Sequence, residues 1–244
     1  MPSFFIVTRG VVFADMPRQT KNSAPPALDK AETELYRPRH EPLSPTIPWL
    51  GIDVSRHRRM GNTYTNYTVH GPSQQEVVKG LAGRTAIVTP AVQGCVVVFE
   101  EQSDKLLQAA VPAFALQWSE AFACPVLGIM NYDDDVLWYR LYIRGQKVDE
   151  YASWIGIAGH PRVPRGGDAE KLCRAFGSSN VNEVESVLRK PSEGKDSYAF
   201  AVDRHADLAR ALGIPAFGVG AGYGSVADGE LPDDLRPEDL VEVT

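Results

Sequence analysis

Apolar and polar residues alternate with a period of two from Val126 to Tyr151, VLGIMNYDDDVLWYRLYIRGQKVDEY. This is the pattern of antiparallel strands joined by tight turns. If Asp133, Asp134 and Asp135 form a three-residue loop, Tyr132 pairs with Val136, Met130 with Trp138 and Ile129 with Tyr139. If Arg144-Gly145 is a two-residue turn, Ile143 opposes Gln146, Leu141 opposes Val148, Arg140 opposes Asp149 and Trp138 opposes Tyr151. One face then carries Leu127, Ile129, Leu137, Tyr139, Leu141, Ile143 and Val148 as a core face. The other carries Met130, Trp138, Arg140, Tyr142, Lys147, Asp149 and Tyr151, a mix of aromatics and charge that suits a binding surface or partial cover. A two-residue Asp-Asp loop would set Leu127 against Arg140 and mix the faces, so the longer loop is preferred.

Upstream, Tyr64–His70 alternates as a strand. Ser73 and Glu76 form a capping box ahead of Val77, Val78 and Leu81, and Gly83 closes that helix. Thr85–Thr89 and Cys95–Glu100 read as strands around a turn at Pro90–Gly94. Leu106, Ala110, Phe114, Trp118 and Phe122 recur at helical spacing, with Pro112 either kinking that helix or starting a second one. The order over 64–152 is β-α-β-β-α-β-β-β, an α+β fold in which a mainly antiparallel sheet carries helices on one face.

Downstream of a Gly- and Pro-rich connector at 156–167 come three helical patterns. Asp168 caps a segment with Leu172, Cys173 and Phe176 that ends at Gly177. Asn180 and Glu183 repeat the capping-box spacing before Val184, Val187 and Leu188. A third segment, 198–212, presents Ala201, His205, Leu208 and Leu212 and stops at Gly213. Ala216–Val219 then reads as a strand, 218–224 as a glycine-rich loop with no helical continuation, and Leu240–Val243 as a last short strand. The sequence thus divides into 60–155, an α+β sheet unit, and 168–244, a helical unit with short strands.

Residues 1–59 break the pattern. They hold eight of the eighteen prolines and nine Lys/Arg against six Asp/Glu, a charge of +3 that leaves −9 for the remainder. They read as a Pro-punctuated, disordered extension with at most short strands at Phe4–Val7 or Val11–Phe13. A true start at Met60 is the alternative.

The 244 residues, 43% of them hydrophobic, suffice for a buried core. A net charge of −6 gives no footprint for nucleic acid or an anionic membrane. No apolar run has the length of a membrane span. Cys95, Cys124 and Cys173 are odd in number and far apart, which reads as buried thiols in a reducing cytoplasm.

The candidate chemistry is sparse. Asp133, Asp134 and Asp135 suggest a cation site, but calcium loops alternate their ligands and include a glycine bend, whereas adjacent aspartates diverge. Turn chemistry accounts for them, because Asp tolerates the left-handed conformation. The run Gly218–Gly224, GVGAGYG, lacks the Lys-Ser/Thr of a phosphate loop. Ser225 does not sit in a G-x-S-x-G elbow. His205 falls on an apolar stripe, where a core histidine with one hydrogen bond is the plain reading and a general base the sharper one. His160, beside Arg162 and Arg165, offers an anion contact or a solvated linker. The helices flanking Gly177 resemble a helix-turn-helix, but Glu183 and Glu185 would face phosphates. No catalytic residue, cofactor or metal ligand is assigned.

At DDDVLWYRLY, with MGNTYTNYTVHGPSQQEVV and RHADLARALGIPAFGVGAGY, the chain resembles a family of uncharacterised bacterial proteins over residues 60–244. That resemblance implies a unit beginning near Met60 and transfers no activity. The leading expectation is a non-catalytic interaction or regulatory module with an unidentified protein partner. Its surface would be Trp138, Arg140, Tyr142, Asp149 and Tyr151, with Asp133–Asp135 as an acidic tip. The alternative is a small-molecule or phosphate-ligand enzyme with Arg204, His205, Gly220 and Gly222 lining a pocket between the two units.

Overall fold

A computed structural model describes residues 61–106, 110–154, 162–232 and 234–244. Expectations for 1–59, for the start at Met60 and for His160 lie outside them. The described residues form an α+β fold on one antiparallel sheet of eight strands. These are β1 (Tyr64–His70), β2 (Ala86–Val88), β3 (Cys95–Glu100), β4 (Pro125–Tyr132), β5 (Val136–Ile143), β6 (Gln146–Ala152), β7 (Arg165–Gly166) and β8 (Val241–Val243), in the order β7-β6-β5-β4-β1-β3-β2-β8. β1 and β4 lie at the centre and are buried almost throughout, as the apolar content of both their faces demands.

Each face of the sheet has its own cover. On the first, Tyr67, Val69, Val98, Met130 and Trp138 pack under α1 (Gln74–Gly80) and α3 (Ala110–Ala121). On the second, Leu127, Ile129, Leu137, Tyr139, Leu141 and Tyr151 pack under α4 (Ala169–Phe176), α5 (Val181–Arg189) and α6 (Ala201–Leu212). Farther along the second face, Ile87, Val97 and Phe99 meet Phe217 and Val226. A short α2 (Glu101–Leu106) follows β3 directly, and α7 (Tyr223–Ala227) lies near the C-terminus.

Local chemistry explains the element ends. The Ser73–Glu76 capping box is formed, and Asp168 accepts from Lys171 N at the start of α4. Gly177 and Gly213 close α4 and α6 in the left-handed conformation. Pro112 falls in the first turn of α3, where its missing N–H costs nothing, so it starts a second helix. Gly128 lets α3 approach β4 closely, since a Cβ there would stand 2.9 Å from Val111 Cγ1 and 3.2 Å from Ala115 Cβ.

The β4–β5 register is the one the three-residue Asp loop predicts, with Tyr132 opposite Val136, Met130 opposite Trp138 and Ile129 opposite Tyr139. Asp133 and Asp134 hold φ of 54° and 53°. The β5–β6 register is corrected. It opens as expected with Ile143 opposite Gln146, then Tyr142 pairs with Lys147, and the ladder shifts so that Leu141 pairs with Asp149, Arg140 with Glu150, Tyr139 with Tyr151 and Trp138 with Ala152. Val148 is the extra residue of a β-bulge, and one extra residue moves everything beyond it to the opposite face. Hydrogen bonds reward the shift: Asp149 accepts from Tyr139 Oη at 2.7 Å and Asp168 N at 2.9 Å, and Tyr151 Oη donates to Leu188 O at 3.1 Å.

Four further expectations are corrected. Residues 216–218 form a 3-10 turn rather than a strand, and the glycine-rich run continues into α7. Arg165–Gly166, placed in the connector, forms the edge strand β7. Asn180 does not cap α5. Its Nδ2 instead reaches Ala211 O at 3.1 Å on α6, a tertiary partner that competes with the local one.

Candidate functional site

The residues singled out from sequence are mostly built into the core. Trp138 and Tyr142 do share a face with Arg140, but they are 1% and 6% exposed on the helix-covered first face. Asp149 and Tyr151 lie on the second face, carried there by the bulge, and Tyr151 stacks on Tyr139 with ring centroids 5.3 Å apart. Arg140 pairs with Glu150 at 3.2 Å instead of Asp149. These five side chains therefore do not make one surface.

The acidic tip is consumed by anchoring. Asp133 Oδ1 accepts from Gly61 N at 2.7 Å, and Asp134 accepts from Asn131 Nδ2 at 2.7 Å and Asn62 N at 3.2 Å. Asp135 meets Arg162 Nη1 at 3.0 Å. The Asp134 carbonyl accepts from Ala201 N at 2.7 Å, which ties the hairpin to the first turn of α6. The three carboxylates diverge, and among the described residues no group of three His, Cys, Asp or Glu side chains could hold a metal ion.

The second sequence-derived group is dispersed over three places. His205 is 3% exposed, and its Nδ1 lies 2.9 Å from Tyr64 Oη. Burial pushes its pKa down to about 4, so the ring is neutral near neutral pH. Gly220 stands beside the same phenol, and its carbonyl accepts from Asn62 Nδ2 at 2.9 Å. Arg204 turns toward α5. It donates through Nη1 to Tyr151 Oη at 2.9 Å and Val187 O at 2.8 Å, and through Nη2 to Pro191 O and Ser192 Oγ, both at 3.1 Å. Its guanidinium also lies 4.4 Å over the Tyr198 ring. Together with Tyr151 it satisfies carbonyls at the C-terminal end of α5, where a cation also complements the helix dipole. Gly222 stands beside the Asp104 carboxylate, which accepts from Thr65 N, Thr65 Oγ1 and Gly224 N. Arg204, the His205–Gly220 pair and Gly222 thus brace three different places, each through its own hydrogen-bond partners.

The polar cleft lies elsewhere, on the first face, between residues 80–85, the β3–α2 junction at 100–102, and Gln117 of α3. Its volume is about 350 Å³. At its base stands Glu100, the last residue of β3 and only 1% exposed. Its Oε2 accepts from Ser103 N and Ser103 Oγ, both at 2.7 Å, and so serves as the N-cap of α2. Ser103 Oγ is in turn 2.6 Å from Tyr67 Oη, whose phenol burial pushes up. The other carboxylate oxygen, Oε1, faces Arg84 Nη1 at 3.9 Å, beyond hydrogen-bond reach. Arg84 is held from its far side: Nη2 donates to Gln117 Oε1 at 2.9 Å, and the guanidinium lies 3.9 Å over the Phe114 ring. Among the described residues, neither Arg84 Nη1 nor Glu100 Oε1 makes a hydrogen bond.

Two other clefts lack this feature. One of about 430 Å³ is lined by Pro72, Phe122 and Cys124, with the Cys124 thiol pushed up to about 11 by burial. The other, about 490 Å³, is bordered by Asp168 and Arg189, which are already bonded, Asp168 to Lys171 N and Arg189 to Gly166 O and Gly167 O.

Arg84, Glu100 and Gln117 do not stand out in the sequence as candidates for chemistry. A signal for Glu100 is present nonetheless, since alternation along β3 places it on the same face as buried Val96 and Val98. Arg84 and Gln117 carry no comparable signal, because they meet only through the packing of α3 beside the 80–85 turn. No family model, curated protein or solved structure matches the chain.

Proposed function

We propose that the chain is a non-catalytic binding module of regulatory type, working in a reducing, cytoplasmic setting, that takes a small polar molecule in the Arg84–Glu100 cleft. One observation carries this reading. A deeply buried carboxylate spends one oxygen on capping a helix and presents the other, without a hydrogen-bond donor, to a polar cavity beside a guanidinium that is equally underused. Buried polar groups are almost always satisfied, and a pair left open toward a cavity is what a ligand site requires.

Binding is favoured over turnover by the surroundings. Ser103, the hydroxyl bonded to Glu100, is buried and shared with Tyr67, so it has no path to a ligand. The position of Glu100 supports a regulatory role, because the same carboxylate that faces the cleft anchors α2, and Asp104 of α2 braces β1 and α7. The buried thiols, with Cys95 and Cys124 pushed up to about 12 and 11, support a setting in which cysteines stay reduced. A protein partner, if the module signals to one, meets it through a surface other than the Trp138 row. Nucleic acid is disfavoured by the net negative charge.

Ligand-observed NMR of the full chain against mixed neutral, anionic, cationic and zwitterionic metabolites tests the reading. Saturation transfer to at least one compound, displaced or abolished by Arg84→Ala, is expected. A panel in which no compound responds, or responses untouched by that substitution, would overturn it.

A further inference from the structure

Resting on that reading of the cleft, we infer that its ligand is neutral and hydroxylated, a small vicinal diol of polyol or monosaccharide size. The gap between the two charged groups selects for this chemistry. Arg84 Nη1 can only donate and the carboxylate oxygen Glu100 Oε1 accepts, and they stand 3.9 Å apart. A single atom that completes both must itself accept from the first and donate to the second. An ammonium group cannot accept and a carboxylate cannot donate, whereas a hydroxyl does both. An oxygen about 2.9 Å from the nitrogen and about 2.7 Å from the carboxylate oxygen spans the gap with a near-right angle between the two bonds.

A second position follows from Gln117. Its Oε1 is occupied by Arg84 Nη2, which orients the amide. Its Nε2 makes no hydrogen bond among the described residues and is the donor for a neighbouring hydroxyl. Charge points the same way. Arg84 and Glu100 balance each other, and Glu101 is matched by Lys105 at 2.7 Å, so the cleft offers no net field to attract an ion. Its volume lies at the small end of ligand pockets.

The test is titration of the full chain by calorimetry and ligand-observed NMR with inositol, common monosaccharides and their deoxy analogues, beside free amino acids and dicarboxylates. We expect at least one neutral diol to bind. Its affinity should fall about tenfold in Glu100→Gln, which keeps an oxygen to cap α2 but loses the acceptor, and severalfold in Gln117→Ala, an exposed change that leaves the fold intact. The matching deoxy compound should fail. Binding confined to amino acids or dicarboxylates and lost in Arg84→Ala overturns the inference while leaving the cleft a binding site, whereas diol binding unchanged in Gln117→Ala and Glu100→Gln puts the ligand outside the cleft and overturns both. Silence from every class overturns both.

Discussion

Arg204 and Arg84 are both folded into hydrogen-bonded surroundings against an aromatic ring, yet they are opposites in what they leave open. Arg204, 1% exposed, spends four donors on Tyr151, Val187, Pro191 and Ser192 and only Nε is left over. Its charge is spread into carbonyl dipoles and the Tyr198 face with no carboxylate partner among those contacts, and burial pushes its pKa down. Arg84 spends one donor on Gln117, lies on Phe114 and leaves Nη1 pointed at a carboxylate it does not reach. The lesson is that burial of a charged group does not by itself mark a site. A buried charge with four of its five donors bonded braces the fold, and one left open at a cavity is available to a ligand.

The severest way to break the Arg204 side of this contrast is to delete Val148. Removing the bulge residue would return Asp149 and Tyr151 to the first face and strip Arg204, Tyr139 and α5 of their partners together. The expected outcome is loss of the cooperative fold, seen as a collapsed near-ultraviolet dichroism signal. A soluble, cooperatively melting deletion variant would show that the bulge is dispensable.

Arg204→Met, which keeps most of the apolar stem, should cost about 3–5 kcal/mol in urea denaturation, because several buried acceptors lose their donor at once. Arg204→Lys should recover less than half of that, since one ammonium cannot match a planar fork with four acceptors. A loss under about 1 kcal/mol for the methionine variant would contradict a bracing role.

The next effect is read in pH. His205 binds its proton more weakly in the folded chain, at about 4, than in the unfolded chain, near 6.5. Above 6.5 it contributes no pH dependence. As pH falls below 6.5 the unfolded state gains the proton first, so stability declines toward pH 4 by roughly 3 kcal/mol. His205→Phe should flatten this portion of the stability profile while costing about 1 kcal/mol through the stranded Tyr64 hydroxyl. An unchanged acid limb in that variant would assign the decline to other groups.

The smallest stability effect belongs to the cleft. Arg84→Ala should change the unfolding free energy by about 1 kcal/mol or less, because its ion pair is long and the side chain partly solvated. The same substitution should abolish ligand binding, a separation of stability from binding that Arg204 cannot show. A destabilisation as large as that of Arg204→Met would erase the distinction between the two arginines.

Legibility in the sequence follows the range of the interactions. Capping at Ser73 and Asp168, the left-handed closures at Gly177 and Gly213, the turns at Asp133–Asp135 and Arg144-Gly145 and the β4–β5 register all depend on residues close in the chain, and all were readable. Misreadings arose where a distant partner outbid a local one. Asn180 turned to Ala211 on α6, and residues 216–218 folded onto Asn66 of β1, whose Nδ2 bonds Gly218 O. The candidate site was less legible still. The sequence drew attention to aromatics and aspartates, which the fold used for packing and anchoring, and passed over Arg84, Glu100 and Gln117.

By itself the sequence determined most of the element order over 64–152, the α+β class and most turn and cap chemistry, because each is decided by side chains within a few positions of one another. Only the tertiary structure decided the face on which Asp149 and Tyr151 stand, since the bulge at Val148 is stabilised by hydrogen bonds to α4, α5 and α6 rather than by any local preference. It alone also set Arg84 3.9 Å from Glu100. That separation comes from how α3 and the 80–85 turn pack beside the end of β3, and a one-dimensional pattern contains no term for it.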